Sequence, residues 1–290
     1  MGNITARHYL AGVVGLSLVR HWHGDPAANA ARVDELLTIL TGPDEFPWNI
    51  VLDPRERDLS AGYEEWAPTY DGRNPLIEAE EVLTHPLLAR LGGPGTRALD
   101  AACGTGRHAA FIASLGGDVT GIDRSPHMLD VALEKVDGAD FVQGKLERMP
   151  FADDEFDLAI VSLALCHLPD PTVAVGELGR VTRPGRTVVI TDPHPVSGLV
   201  GGQAFYGGFG STTPSGEPAG MRYVRNHDHS AATWLRAFRS AGLSVVDCVE
   251  EPYDPAQVAG FPSSALFAGA TAAALDGLPC FWLWELRVDE

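Results

Sequence analysis

Apolar residues along the chain change their period several times, and the changes mark out its elements. Between residues 97 and 192, short apolar runs alternate with segments of helical spacing. Strands are expected near 97–102, 118–123, 139–142, 156–163 and 186–192, with helices near 107–115, 126–135 and 171–182. Regular strand–helix alternation implies a parallel sheet covered on both faces, an α/β class. Ahead of it, 5–20 and 27–41 read as helices. In the second, Val33, Leu36, Leu37 and Leu40 recur at helical spacing behind Asp25-Pro26, and Gly42-Pro43 ends it. A connection rich in proline and charge follows, with Pro47, Pro54 and the run Asp53 to Asp58, and a further helix is expected over 75–91. After 192 the rhythm breaks. Residues 193–229 are rich in glycine and proline (Gly198, Gly201, Gly202, Gly207, Gly208, Gly210, Pro214, Pro218) and carry Phe205, Tyr206 and Phe209. A long irregular insert in an α/β domain reads as a binding segment or lid. Ser230 then caps a helix over 231–241, followed by strands over 243–249 and 280–288; Trp282 and Trp284 alternate in the last and are expected in the core. The expected organisation is a helical N-terminal cap over 1–60, a core over 61–192, a cap insert over 193–229, and the rest of the core sheet over 230–290.

Composition narrows the function more by exclusion than by indication. The 290 residues are 45% hydrophobic and 21% charged, ordinary for a soluble globular protein. Thirty-nine acidic against 21 basic residues give a net charge of −18. Such a surface repels phosphate backbones and anionic lipid, so neither nucleic acid nor membrane is expected as a partner. Cys103, Cys166, Cys248 and Cys280 form no Cys-x-x-Cys pair, so neither zinc nor a disulfide framework is expected, and reduced thiols suit a cytoplasmic setting. No apolar run approaches the ~20 residues of a membrane span. The apolar stretch Tyr9 to Val19 ends in Arg20-His21-Trp22-His23, unlike a signal-peptide cleavage site. Ala6 stands where myristoylation needs a hydroxyl.

Candidate chemistry begins at Asp100-Ala-Ala-Cys-Gly104-Thr-Gly106, where an apolar strand meets a glycine turn that opens into a helix. Glycines there allow positive φ and close approach of a ligand, and the helix start favours a negative group. Gly104-x-Gly106-x-x-Ala109 alone is shared with dinucleotide-binding dehydrogenases. Asp100 lies four residues before the first glycine, and the next strand ends in Gly121-Ile-Asp123, a position suited to ribose hydroxyls. Downstream come Met149-Pro-Phe151, then Asp154-Glu-Phe-Asp157 leading into the fourth strand.

Taken in order, Asp-x-x-Cys-Gly-Thr-Gly, Gly-Ile-Asp-x-Ser-x-x-Met-Leu, Met-Pro-Phe-x-Asp-x-x-Phe-Asp and Ala-Leu-Cys-His-Leu-Pro-Asp resemble the motifs of class I S-adenosylmethionine (SAM)-dependent methyltransferases. The likeness covers roughly residues 63–192 and is nearest to the small-molecule type similar to quinone-biosynthesis methyltransferases. It implies a doubly wound, mostly parallel, Rossmann-like seven-stranded sheet ordered 3-2-1-4-5-7-6, with the last strand antiparallel. It implies that Asp100, Ala102, Gly104 and Gly106 hold the methionine part of SAM, and that Asp123 accepts from the ribose hydroxyls. Arg124 and Met128 would flank the adenine, with Leu146 offering its N–H and Glu147 or a backbone carbonyl accepting from the amino group. Ser162, Leu163 and His167 would line the floor, and Tyr63 and Tyr70 would close over the sulfonium. Lys145 departs from the pattern. Family members usually carry an acidic residue there, and an ammonium has no acceptor lone pair.

Methyl transfer needs alignment more than acid–base help, so sequence rarely names a catalytic residue. The candidates are His194, after the fifth strand, and His167, after the fourth, because imidazole titrates near neutrality. His21-x-His23 and His227-x-His229 lie outside expected strands, so no metal is expected. The expected function is methyl transfer from SAM to O, N or C of a small organic acceptor, in a setting of secondary metabolism, with S-adenosylhomocysteine (SAH) as product. A SAM-fold protein of cyclisation or rearrangement, suggested by Lys145, and a nicotinamide-dependent oxidoreductase are the alternatives.

Overall fold

Seven strands build one sheet: β1 (Arg97–Ala101), β2 (Asp118–Asp123), β3 (Asp140–Gln143), β4 (Phe156–Ser162), β5 (Thr182–Pro193), β6 (Leu243–Pro252) and β7 (Pro279–Val288). Their spatial order is β3-β2-β1-β4-β5-β7-β6. β1 pairs in parallel with both β2 and β4, and β7 runs antiparallel to β5 with Trp282 opposite Asp192 and Trp284 opposite Ile190. This is the order and polarity expected from the sequence. The structure, a computed structural model, describes residues 4–45, 48–52, 54–72, 74–199, 203–206, 222–261 and 263–290.

The helices, in chain order, begin with α1 (Ala6–His21), α2 (Pro26–Thr41), α3 (Leu59–Trp66) and α4 (Pro75–Leu91). Next come α5 (Arg107–Ser114), α6 (Pro126–Lys135), α7 (Thr172–Val181) and α8 (Pro195–Leu199). The last three are α9 (Ala231–Ser240), α10 (Pro255–Gly260) and α11 (Ser264–Leu275). Short strands over 55–57, 204–206 and 222–224 lie outside the seven-stranded sheet.

Residues 56–204, 223–251 and 279–290 form one compact unit, which holds the whole core of the sheet. Central strands read as unbroken apolar runs because both faces are buried: Leu99, Ile160, Val161, Val189 and Ile190 have no exposed surface. Trp282 and Trp284 stack at 5.1 Å and are buried beside Phe238, as the alternation predicted. Close packing explains two glycines. A Cβ on Gly121 would lie 2.6 Å from the Phe141 ring, and Gly106 holds φ 77° with Ala132 and Val136 at 3.2 Å from its missing Cβ. Strand β5 starts earlier than the sequence suggested. Thr182 already pairs with Phe156 before Pro184-Gly185, and the register shifts before Leu158 pairs with Thr187.

Residues 1–55, 205–222 and 252–278 form the second compact unit. Its core gathers Leu10 and Val14 of α1, Ile39 of α2 and Ala270 of α11. Asp25 caps α2 by accepting from Ala27 N–H, with Pro26 at the first helical position, as expected. The residues at helical spacing do lie in a helix, though Val33, Leu37 and Leu40 are 45%, 52% and 57% exposed while Leu36 and Ile39 make the core contacts. Residues 252–278 group with the N-terminal helices, and α11 among them carries no charge over its twelve residues, so the sequence shows no polar face to mark it as a helix. Gly201, Gly202, Gly207, Gly208, Phe209, Gly210, Pro214 and Pro218 of the insert, with Pro47 and Asp53, fall outside the described residues.

Candidate active site

The chain leaves β1 toward one face of the sheet and β4 toward the other, so a crevice opens between their carboxyl ends. Both exits are left-handed: Ala102 has φ 57° after β1 and Leu163 has φ 53° after β4. Only three non-glycine residues among those described have positive φ, and these two line the same cleft. Concentration of costly backbone conformation at one place marks a functional site.

The cleft is open to solvent, with ≈ 740 Å³ of empty space counting the solvent at its mouth. Ala102 and Gly104 form its glycine-turn wall, while Ile122, Asp123, Arg124, Ser125 and Met128 come from the end of β2 and the start of α6. Gly144, Lys145, Leu146 and Glu147 follow β3, and Ser162, Leu163, Ala164, His167 and Leu168 follow β4. Leu59, Ser60, Tyr63 and Tyr70 enter from α3 and its continuation. Twelve of the fourteen residues that the resemblance assigned to the cofactor are therefore together.

Asp123 sits where a diol would be gripped. Its Oδ2 accepts the Gly104 N–H at 2.9 Å and its Oδ1 accepts the Ser125 N–H at 2.8 Å. Burial raises its pKa, and these two N–H groups offset part of that rise. Asp100 and Gly106 stand behind the cleft rather than in its lining. Asp100, 2% exposed, accepts the Ala109 N–H at 2.9 Å and so ties the end of β1 to α5.

An aromatic group closes one side. Tyr63 stacks on Trp66 at 5.7 Å, and Trp66 meets Tyr70 edge-on at 5.0 Å. Burial pushes the Tyr63 phenol up, aided by Tyr70, and pushes Tyr70 to about 12 against the opposing effect of Arg107. Tyr63 Oη lies 2.7 Å from His167 Nε2, and His167 Nδ1 lies 3.0 Å from the Arg225 carbonyl. A carbonyl only accepts, so Nδ1 carries the ring proton and Nε2 accepts from the phenol. Burial lowers the His167 pKa to about 4, which agrees with a neutral ring.

His194 is outside the cleft lining. It is 7% exposed, packs against Trp282 at 4.2 Å with the ring planes tilted by 41°, accepts the Val196 N–H on Nδ1 at 3.2 Å and meets Glu250 Oε1 at 3.2 Å through Nε2. Both nitrogens are occupied by neighbours, and burial lowers its pKa. Among the described residues no cluster of three or more His, Cys, Asp or Glu side chains could hold a metal.

Sequence reasoning missed Leu59 and Ser60. The available signal was Asp58, whose carboxylate caps α3 by accepting from Ser60 and Ala61 N–H groups. It also missed Asp192, 1% exposed, whose carboxyl burial raises to about 7 against its hydrogen bonds with Cys166.

The lining fits SAM: a carboxylate at the end of β2 faces the glycine turn, Ile122, Met128 and Leu146 are apolar, and Tyr63 and Tyr70 bring aromatic rings to one side. Comparison with known proteins agrees. Residues 99–190 match the methyltransferase domain family. The chain is 34% identical over 151 residues to the demethylmenaquinone methyltransferase of Renibacterium salmoninarum, covering 51% of this chain and 64% of that one. It is 38% identical over 129 residues to the same-named protein of Staphylococcus aureus, covering 41% and 54%. The chain thus spans between half and two thirds of these relatives' length. Among solved structures, a SAM-dependent methyltransferase from Mesorhizobium loti aligns with TM-score 0.54 at 22% identity, over 73% of this chain and 99% of that one. The [4+2]-cyclase SpnF aligns with TM-score 0.54 at 21% identity, over 82% and 97%. Residues 99–190 are accordingly similar to the methyltransferase domain family, and the sheet shares its fold with solved SAM-dependent methyltransferases.

Proposed function

We propose that this protein transfers a methyl group from SAM to O, N or C of a small organic acceptor. The observation that carries the reading is the cleft at the switch point between β1 and β4. It unites Asp123, the glycine turn, the residues after β3 and β4, and the rings of Tyr63 and Tyr70, against both of which Trp66 packs. SAM supplies a sulfonium-activated methyl group that an aligned nucleophile displaces in line. The protein's share is alignment and exclusion of water. Asp123 would accept from the ribose diol, Met128 and Leu146 would flank the adenine, and Gly104 would receive the amino-acid end. Tyr63, fixed by its bond to His167, would set the aromatic wall beside the sulfonium. His167, neutral and already accepting a phenol proton, is a positioning group rather than a strong base. His194 has no part in the cleft and is assigned a structural role.

Lys145 in the cleft lining favours a second reading, in which bound SAM is retained while the substrate cyclises or rearranges. Incubation of the protein with SAM and a panel of phenolic, hydroxylated and amino acceptors, followed by mass spectrometry, separates the two. Methyl transfer gives SAH together with an acceptor heavier by one methylene. A product isomeric with its substrate, with SAM unconsumed, would overturn the first reading.

A further inference from the structure

Leu163 is left-handed without the licence of a glycine, in a region that is sterically costly for a side chain bearing a Cβ. Such a conformation persists only where the surroundings over-determine it. The Leu163 N–H donates to the Thr191 carbonyl at 2.9 Å. The residue before it, Ser162, is held more firmly still. Its hydroxyl donates to Glu80 Oε1 at 2.8 Å and accepts from Arg107 at 2.6 Å, and the Thr191 hydroxyl lies 2.9 Å away.

These contacts converge on Glu80, which projects from α4 and has no exposed surface. Oε1 receives Ser162 and, at 2.7 Å, the Thr191 hydroxyl; Oε2 pairs with Arg107 and lies 3.3 Å from His108 Nε2. Burial alone would push the Glu80 carboxyl up, yet His108 and Arg107 outweigh it and hold the group well below the usual carboxylate range. Three hydrogen bonds, from Ser162, Thr191 and Arg107, thus reach the carboxylate, with His108 close by. Arg107 is the first residue of α5, directly after the glycine turn, while Ser162 ends β4 and Thr191 lies two residues before the end of β5. One buried anion thus ties together the two walls of the crevice.

We propose that Glu80 is a positioning residue for cofactor binding. Its carboxylate locks Ser162, Thr191 and Arg107 so that β4 leaves the sheet through a left-handed Leu163 and keeps the cleft floor in place. Glu80 itself is absent from the cleft lining and acts through Ser162, which is present there. The inference rests on the SAM reading above.

Calorimetric titration of the full chain with SAH tests it, using E80Q, T191V, L163G and the corresponding double variants. E80Q leaves Arg107 facing an amide and is expected to weaken SAH binding roughly tenfold or more. T191V removes one donor while keeping the Glu80–Arg107 pair, so it is expected to weaken binding severalfold with little change in Tm. Glycine takes positive φ unaided. In the L163G background either substitution should therefore cost far less affinity than in wild type. If E80Q does not fold, the T191V and L163G cycle decides by itself. Equal SAH affinity of folded E80Q and wild type, or additive effects of T191V and L163G, would overturn the inference alone. A wild type that binds neither SAM nor SAH would overturn the functional reading and this inference with it.

Discussion

Two buried groups near the cleft, His167 and Asp192, respond to pH in opposite senses. His167 has its pKa lowered from 6.5 to about 4 by burial. The unfolded chain takes up that proton below pH 6.5 and the folded one does not, so its contribution to stability is lost as pH falls from 6.5 toward 4. Asp192 has its pKa raised from 3.8 to about 7 by burial. The folded protein keeps that proton where the unfolded chain has released it, so stability is lost as pH rises from 3.8 through 7. Asp192→Asn removes the second effect alone. It should raise Tm relative to wild type at pH 8, by the equivalent of roughly 2–4 kcal/mol, with the gain shrinking toward pH 4. Thermal melts across that range check it, and a gain independent of pH would contradict the assignment. Gly121 gives a second residue-scale prediction. A Cβ there would lie 2.6 Å from the Phe141 ring and 2.9 Å from Cys103 Sγ, so Gly121→Ala should cost about 1–3 kcal/mol by overpacking. Urea midpoints measure it, and an unchanged midpoint would show that Phe141 moves freely.

At the scale of elements, legibility followed burial pattern and capping. Strands β1, β2 and β4 and helices α4 and α6 matched their expected bounds closely, because apolar runs, Pro at a first turn and caps such as Asn74 and Ser125 agree with one another. The cleft residues were legible for a related reason: most follow directly from strand ends, and strand ends were readable. What sequence hid was side-chain convergence across distant elements. Nothing near Glu80 in the chain says that Ser162 and Thr191, 82 and 111 residues away, share its carboxylate. His194 looked available because it follows a strand, and only the structure shows it packed against Trp282 and bonded to Val196 and Glu250. α11 escaped because an uncharged helix has no polar period. Helix α9 supplies a test of the capping argument. Ser230 accepts the Thr233 N–H at 3.2 Å, so Ser230→Ala should cost about 1 kcal/mol, a fall in Tm of roughly 2–4 °C. No measurable fall would mean that packing of Trp234 and Phe238, both 1% exposed, alone holds the helix.

For the whole molecule, a net charge of −18 argues against phosphate-rich partners, and no helix among the described residues is long and apolar enough to cross a membrane. Two compact units are present, and all cleft residues belong to the one containing the sheet. SAH at a hundredfold excess over its Kd should stabilise the folded state of that unit by about 2.7 kcal/mol. In differential scanning calorimetry the transition that rises should be the one lowered in Gly121→Ala, since Gly121 lies in β2; a ligand that shifts no transition would argue against a site in the cleft. The central claim is that Asp123 and the glycine turn hold SAM. Its most direct test is isothermal titration of wild type and Asp123→Ala, each freed of co-purified ligand, with SAM, SAH and NAD. The account predicts micromolar binding of SAM or SAH by wild type, loss of that binding in Asp123→Ala, and no binding of NAD. Absence of SAM and SAH binding to the wild type, or binding that survives Asp123→Ala undiminished, would contradict it.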